Sequence, residues 1–124
     1  MQNEVVISSL SAEGLAQVRQ LAPELRLGFI YAFEIGSLAR LDVDFLEPDE
    51  SQVTASLLRA ANTRGLPVFA WTIDDAASAR HMYDLGVSAV ITNEPPLVER
   101  ALAERDALSD QELIMLRFRQ LLEP

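Results

Sequence analysis

Apolar residues recur along this chain in two alternating rhythms. Short continuous runs stand at Glu4 to Ser9 (EVVISS), Arg26 to Tyr31 (RLGFIY), Leu41 to Phe45 (LDVDF), Leu66 to Ile73 (LPVFAWTI) and Val87 to Thr92 (VSAVIT). All five read as short strands, and the β-branched, continuously apolar character of the first suggests one covered on both faces. The third is expected to end at Glu47-Pro48. Between them the spacing turns helical. Leu15, Val18, Leu21 and Ala22 follow Ser11 in the manner of a capped helix stopped by Pro23, and Val53, Leu57, Leu58 and Ala61 stripe a helix over 51–64. Asp74 and Asp75 are expected to cap a helix ending at Leu85-Gly86, and Asn93 to Pro96 leads into another. Ser109 with Glu112 reads as a capping box for a terminal helix to about Leu122. Ala32 to Arg40 is ambiguous, one helical turn with a break at Gly36. Strands alternating with helices in this way predict parallel β/α units.

At 124 residues, 49% of them apolar, the chain is sized for one domain with a real core. Nineteen acidic residues against ten basic ones give a net charge of −9, which disfavours nucleic acid as a partner of the whole surface. Every basic residue is arginine, so Schiff-base chemistry and a phosphate-loop lysine are excluded. The absence of cysteine removes disulfides, thiolate metal sites and cysteine nucleophiles. No apolar run reaches the roughly 18 residues of a membrane span, and the first residues lack a basic leader pattern, so a cytoplasmic location is the default expectation. A single histidine, His81, falls mid-helix and is expected on the outer layer, away from any mouth. A mechanism needing two imidazoles cannot run within one copy.

In parallel β/α folds the functional groups gather where strands end and helices begin. That rule nominates Ser8 to Ser11, Asp42 to Asp49, Trp71 to Asp75 and Thr92 to Pro96. Trp71, on the same side of its strand as Phe69, stands where an aromatic ring either stacks on a ligand or fills core volume. Asp42 and Asp44, two apart, are expected on one strand face, the spacing of a metal-binding carboxylate pair, although in an acidic chain a solvated strand end accounts for them better. Ser8 and Ser9 are placed to donate to an anion near a helix N-terminus. In the terminal helix, Leu113, Ile114, Met115, Leu116, Phe118, Leu121 and Leu122 form a broad apolar band broken by Arg117 and Arg119. It serves either docking on its own domain or pairing with a partner.

Four segments resemble one enzyme family. Val5-Val6-Ile7-Ser8-Ser9-Leu10-Ser11-Ala12-Glu13 is similar to the "ISSF-x-P-E" strand of glycerophosphodiester phosphodiesterases, and Leu41 to Asp49 (LDVDFLEPD) resembles their "D-x-x-NPD" segment. Arg64 to Asp74 (RGLPVFAWTID) resembles "RGLKVFVWTVN", and Leu85 to Pro95 (LGVSAVITNEP) resembles "LGVDGIITDRP". The four occur in family order from Val5 to about Leu102.

The resemblance implies a fold and a division of labour. The fold is an α/β partial TIM-type (β/α) barrel of about five parallel strands over residues 1–106, followed by a terminal amphipathic helix over 107–124. The implied reaction of the complete barrel is hydrolysis of glycerophosphodiesters, in lipid and glycerol metabolism, to glycerol 3-phosphate and an alcohol with a divalent metal, Ca or Mg. The family's catalytic "HRG", "E-x-D", "HD" and "E-x-K" motifs belong to the first half of that barrel and do not occur here. Trp71 matches the family tryptophan that faces substrate, and Ser8 and Ser9 match its serine pair, whereas Leu10 stands for a phenylalanine and Asp74 for an asparagine. The expectation is therefore a substrate wall without catalytic residues and without metal of its own, which meets a glycerophosphodiester only when completed by an N-terminal half. A complementing chain or a second copy would close its open strand edges. Two rival readings are a noncatalytic module for a phosphorylated ligand and a homo-oligomeric scaffold.

Overall fold

The computed structural model describes residues 4–31, 41–108 and 110–122. Strand β1 (Val6–Ser9) leads to helix α1 (Ala12–Leu21), then β2 (Arg26–Tyr31) and β3 (Phe45–Pro48). Helix α2 (Ala55–Thr63), β4 (Phe69–Ala70), α3 (Ala76–Leu85), β5 (Ala89–Val90), α4 (Pro95–Asp106) and α5 (Asp110–Leu122) follow. The ladders β1–β2, β2–β3 and β4–β5 are parallel. Bridges Leu46↔Val68 and Asp49↔Trp71 join β3 to β4, so the strands run side by side in chain order. Among the described residues no ladder joins β1 to β5, and both outer edges are open.

One sheet face is sealed by helices. Leu27, Phe29, Tyr31, Leu46 and Val68 pack with Leu15 of α1 and Ala61 of α2. A second cluster sets Ala70 and Ile73 against Ala79 and Met82 of α3 and Val98 and Ala101 of α4. Side chains alternate along a strand, so Gly28, Ile30, Phe45, Glu47, Phe69 and Trp71 belong to the opposite face. There Phe45 packs against Phe69 with ring centroids 5.0 Å apart, and the Arg26 guanidinium stands 5.9 Å from the Phe45 centroid. The Phe45 ring occupies the space a side chain on Gly28 would need: a Cβ at that position would come within 2.2 Å of Cε2.

Caps explain most element boundaries. Ser11 caps α1 by accepting from Gly14 N at 2.9 Å, and Gly65 and Gly86 take the left-handed conformations (φ 67° and 88°) expected after α2 and α3. Several boundaries differ from the sequence expectation. The β3 ladder begins at Phe45, not Leu41, and ahead of it Asp42 and Asp44 turn their carboxylates to Arg19; β5 is confined to Ala89–Val90. The helix expected from Ser51 is a 3-10 turn, Glu50–Gln52, then α2 from Ala55. Asp49 holds Ser51 N, and Thr54 Oγ1 caps Leu57 N at 3.1 Å. The fourth strand forms a continuous ladder with β5 only at Phe69–Ala70; on its other side it meets β3 through the single bridges at Val68 and Trp71. The turn expected in Ala32 to Arg40 and the Ser109 cap lie outside the described residues.

Helices α3 and α4 are joined through charge as well as packing. Arg105 is 4% exposed, and its Nη2 donates to Asp84 Oδ2 at 2.8 Å. Removing the carboxylate would leave a buried cation, near Arg80, without the anion that compensates it.

Two outcomes are expected in urea unfolding. Gly28→Ala forces the Phe45 ring to move and lowers stability by about 1–3 kcal/mol. Asp84→Ala strands Arg105 and costs roughly 3 kcal/mol, most of it recovered when Arg105→Met is added.

Candidate functional site

The helix-free face ends, at the C-terminal side of the strands, in a shallow cleft lined by Ser8, Ile30, Glu47, Trp71, Thr72 and Ile91. Each residue arrives from a different place in the chain, carried by strand register. Ile30 pairs with Glu47 in the β2–β3 ladder, while Trp71 is bridged through its backbone to Asp49.

Trp71 is the most firmly held member. Its indole Nε1 donates to the Glu47 carbonyl at 2.7 Å, its backbone N donates to the Pro48 carbonyl at 3.1 Å, and its own carbonyl accepts from Glu50 N at 2.8 Å. With the N–H satisfied internally, the ring offers a ligand its face and not a donor. Glu47, half-buried, and Ser8 line the same cleft from β3 and β1, on either side of Ile30 in β2.

The rim is built by Asp74. Its Oδ1 accepts from Asn93 N at 2.7 Å and Thr92 Oγ1 at 3.0 Å, and its Oδ2 accepts from Asn93 Nδ2 at 3.0 Å. Thr92 Oγ1 in turn accepts from Glu94 N at 2.9 Å. The loop after β4 is thus tied to the loop after β5 by a carboxylate. The expectation that both Asp74 and Asp75 cap α3 needs correction. Asp75 alone does so, accepting from Ser78 N at 2.8 Å, because the bonds from Thr92 and Asn93 engage both oxygens of Asp74.

Of the residues nominated from sequence, Ser8 and Trp71 meet in the cleft. Ser9 points elsewhere: its Oγ accepts from Ser11 N at 3.0 Å, a local bond at the start of α1. Asp42 and Asp44 do not project together from a strand face. Both precede β3 and bind Arg19, Asp42 at 3.3 Å from Nε and Asp44 at 3.0 Å from Nη2. Asp44 Oδ2 also accepts from Leu27 N at 2.8 Å. Burial raises the Asp44 carboxyl, but the Leu27 N–H and the Arg19 guanidinium outweigh it and hold the group below its ordinary range. This pair locks α1 to the sheet. His81 is exposed on α3, near Arg80, Asp84, Arg105 and Gln120, and does not line the cleft. Ile30 and Ile91 were not nominated, although counting back in twos from the strand ends would have placed them on the cleft face.

Among the described residues no three histidine or carboxylate side chains converge in a way that could hold a metal ion. The donors present therefore do not fit the divalent metal that the resemblance implies, and no step below is routed through one.

The sequence profile of the glycerophosphoryl diester phosphodiesterase family matches residues 1–97. The chain belongs to that family. A glycerophosphodiester phosphodiesterase of Caldanaerobacter subterraneus is 29% identical over 98 residues, covering 76% of this chain and 40% of the relative. One from Bacillus subtilis is 27% identical over 105 residues, covering 78% of this chain and 36% of the relative. An Oleispira antarctica phosphodiesterase, solved in complex with the product sn-glycerol-3-phosphate, superposes with a TM-score of 0.71 at 24% identity, over 79% of this chain and 41% of that one. This member of the family therefore spans about two-fifths of the length of the curated relatives it matches. Its five parallel strands form an arc of the TIM-type barrel, as the sequence predicts. No described helix is long and apolar enough to cross a membrane.

The Asp74 carboxyl lies below its ordinary range, through the Asn93 N–H first, then the Asn93 amide and the Thr92 hydroxyl. A value depressed on folding contributes stability above the unfolded value near 3.9, and that stability is lost as pH falls through the folded value. Asp44, Asp49 and Asp75 are shifted the same way. An acid titration followed by Trp71 fluorescence and unfolding midpoint should therefore show a loss below about pH 4. Asp74→Asn should remove a part of that limb and leave the rest.

Proposed function

We propose that this chain is the C-terminal wall of a glycerophosphodiester phosphodiesterase barrel, holding the substrate without carrying the groups that cleave it. One observation carries the reading. In a member of this family, Ser8, Glu47 and Trp71 converge on a cleft at the C-terminal ends of the strands, while His81 sits on the helix layer outside it. Hydrolysis of a phosphodiester needs charge stabilisation at the phosphoryl oxygens and a proton for the departing alcohol. Among the described residues, neither arginine nor histidine lines this cleft. Those groups, and the metal the family resemblance implies, come in this reading from an N-terminal portion supplied within a longer chain or by a complementing one. This chain's own part is to present the Trp71 face to the glycerol carbons and the Ser8 and Glu47 oxygens to its hydroxyls.

The reading extends to lipid and glycerol metabolism through the glycerol 3-phosphate that such hydrolysis releases. A cytoplasmic location remains the proposal that accompanies it. A noncatalytic module that holds a phosphorylated ligand uses the same cleft and is separated by the same experiment.

The 124-residue chain, assayed with glycerophosphocholine and Mg²⁺ or Ca²⁺, is expected to show no turnover above a Trp71→Ala control. Robust turnover that persists through repurification overturns the reading. Titration with sn-glycerol 3-phosphate should change Trp71 emission at millimolar concentrations and more weakly in Ser8→Ala. If turnover appears once N-terminal β/α units are supplied, the wall is catalytic in partnership. Saturable binding with no turnover in that mixture favours the noncatalytic module.

A further inference from the structure

Helix α5 lies outside residues 1–97, the part that matches the family profile, and its chemistry is unlike that of the other helices. Ile114, Met115, Phe118, Leu121 and Leu122 are 67%, 65%, 59%, 83% and 71% exposed. At 100° per residue these five fall within one third of the helix circumference, opposite the half-buried Leu116. Gln111, Met115, Phe118 and Leu122 repeat at intervals of four, three and four, the spacing of a seam between two helices, and with Glu112, Arg119 and the edge of Leu116 they line a shallow groove.

Charge says what fits the seam. Acidic Asp110 and Glu112 stand in the first half of α5 and basic Arg117 and Arg119 in the second. A partner helix running antiparallel with the same sequence sets Glu112 against Arg119 and Arg119 against Glu112 about a two-fold axis near Met115 and Leu116, and opposes the two helix dipoles. A parallel copy would set like charges together. A bilayer surface is the wrong complement, because helices that lie on membranes carry basic residues along the whole polar face, and this chain has a net charge of −9.

We infer that α5 is a self-association element that pairs antiparallel with α5 of a second copy of this chain, burying Met115, Phe118 and Leu122 at the seam. The contact is a short one, about 20 Å of helix, so the pairing is expected to be weak and reversible. It is independent of the cleft, which α5 does not line. The pairing therefore stands or falls separately from the catalytic reading.

Sedimentation equilibrium of the 124-residue chain across the micromolar range should show a monomer–dimer equilibrium. Phe118→Glu should give a monomer whose circular dichroism matches the parent. Glu112→Arg and Arg119→Glu should each weaken the dimer by about five- to thirty-fold, and the double swap should restore it, since two pairs are reversed together. Four results overturn the inference: a monomer at several hundred micromolar; association that persists in Phe118→Glu, which would belong to the open strand edges; a double swap weaker than either single one; or a monomer that sediments with vesicles of anionic lipid.

Discussion

Everything in this molecule hangs on β3. It is the middle one of five strands that run side by side in chain order, engaged by β2 through the Gly28–Tyr31 register and by the fourth strand through Leu46 N to the Pro67 carbonyl and Trp71 N to the Pro48 carbonyl. The other strands find their places relative to it. A parallel ladder fixes which residues stand level, and a slip of one position would send every side chain to the wrong face. Phe45 resists that slip. Its ring fits against the sheet only because residue 28 has no side chain, so Gly28 acts as a key for register and not as a turn. Glu47, two residues further along the same strand, reaches the cleft as a consequence of that fit.

The α/β alternation, the five strands and the caps at Ser11 and Asp75 were legible in the sequence because each rests on local pattern: apolar runs, helical spacing and side chains that satisfy a neighbouring N–H. The cleft was legible in part. Trp71 and Ser8 follow from the rule that strand ends carry function. What pattern could not reach were bonds between residues far apart in the chain. Arg19 reaches 25 residues forward to Asp44 and converts an apparent carboxylate pair into a clasp. Asp74 reaches 18 residues forward to Thr92, so of two adjacent aspartates with equal capping propensity only one caps. Spacing tells which groups lie on a face, whereas a long-range partner decides what each group does there.

The two ion pairs in the helix layer show the same economy. Arg19 closes α1 onto the sheet, and Arg105 closes α4 onto α3. Arginine suits both tasks, because a planar guanidinium satisfies several acceptors at once. Arg19 donates to the carbonyls of Pro23 and Leu25 as well as to Asp44. Arg105 has the narrower task, one bond from Nη2 to Asp84 that spans the two helices.

The carboxylate that joins the last two loops has a bearing on assembly. All three of its bonds are made within this arc, so the lip of the cleft takes its shape without any contribution from the opposite wall. The loops after β4 and β5 are already tied to each other at the open edge beside β5, so a neighbour reaching that edge would find this part of the lip set, with little of its freedom left to lose.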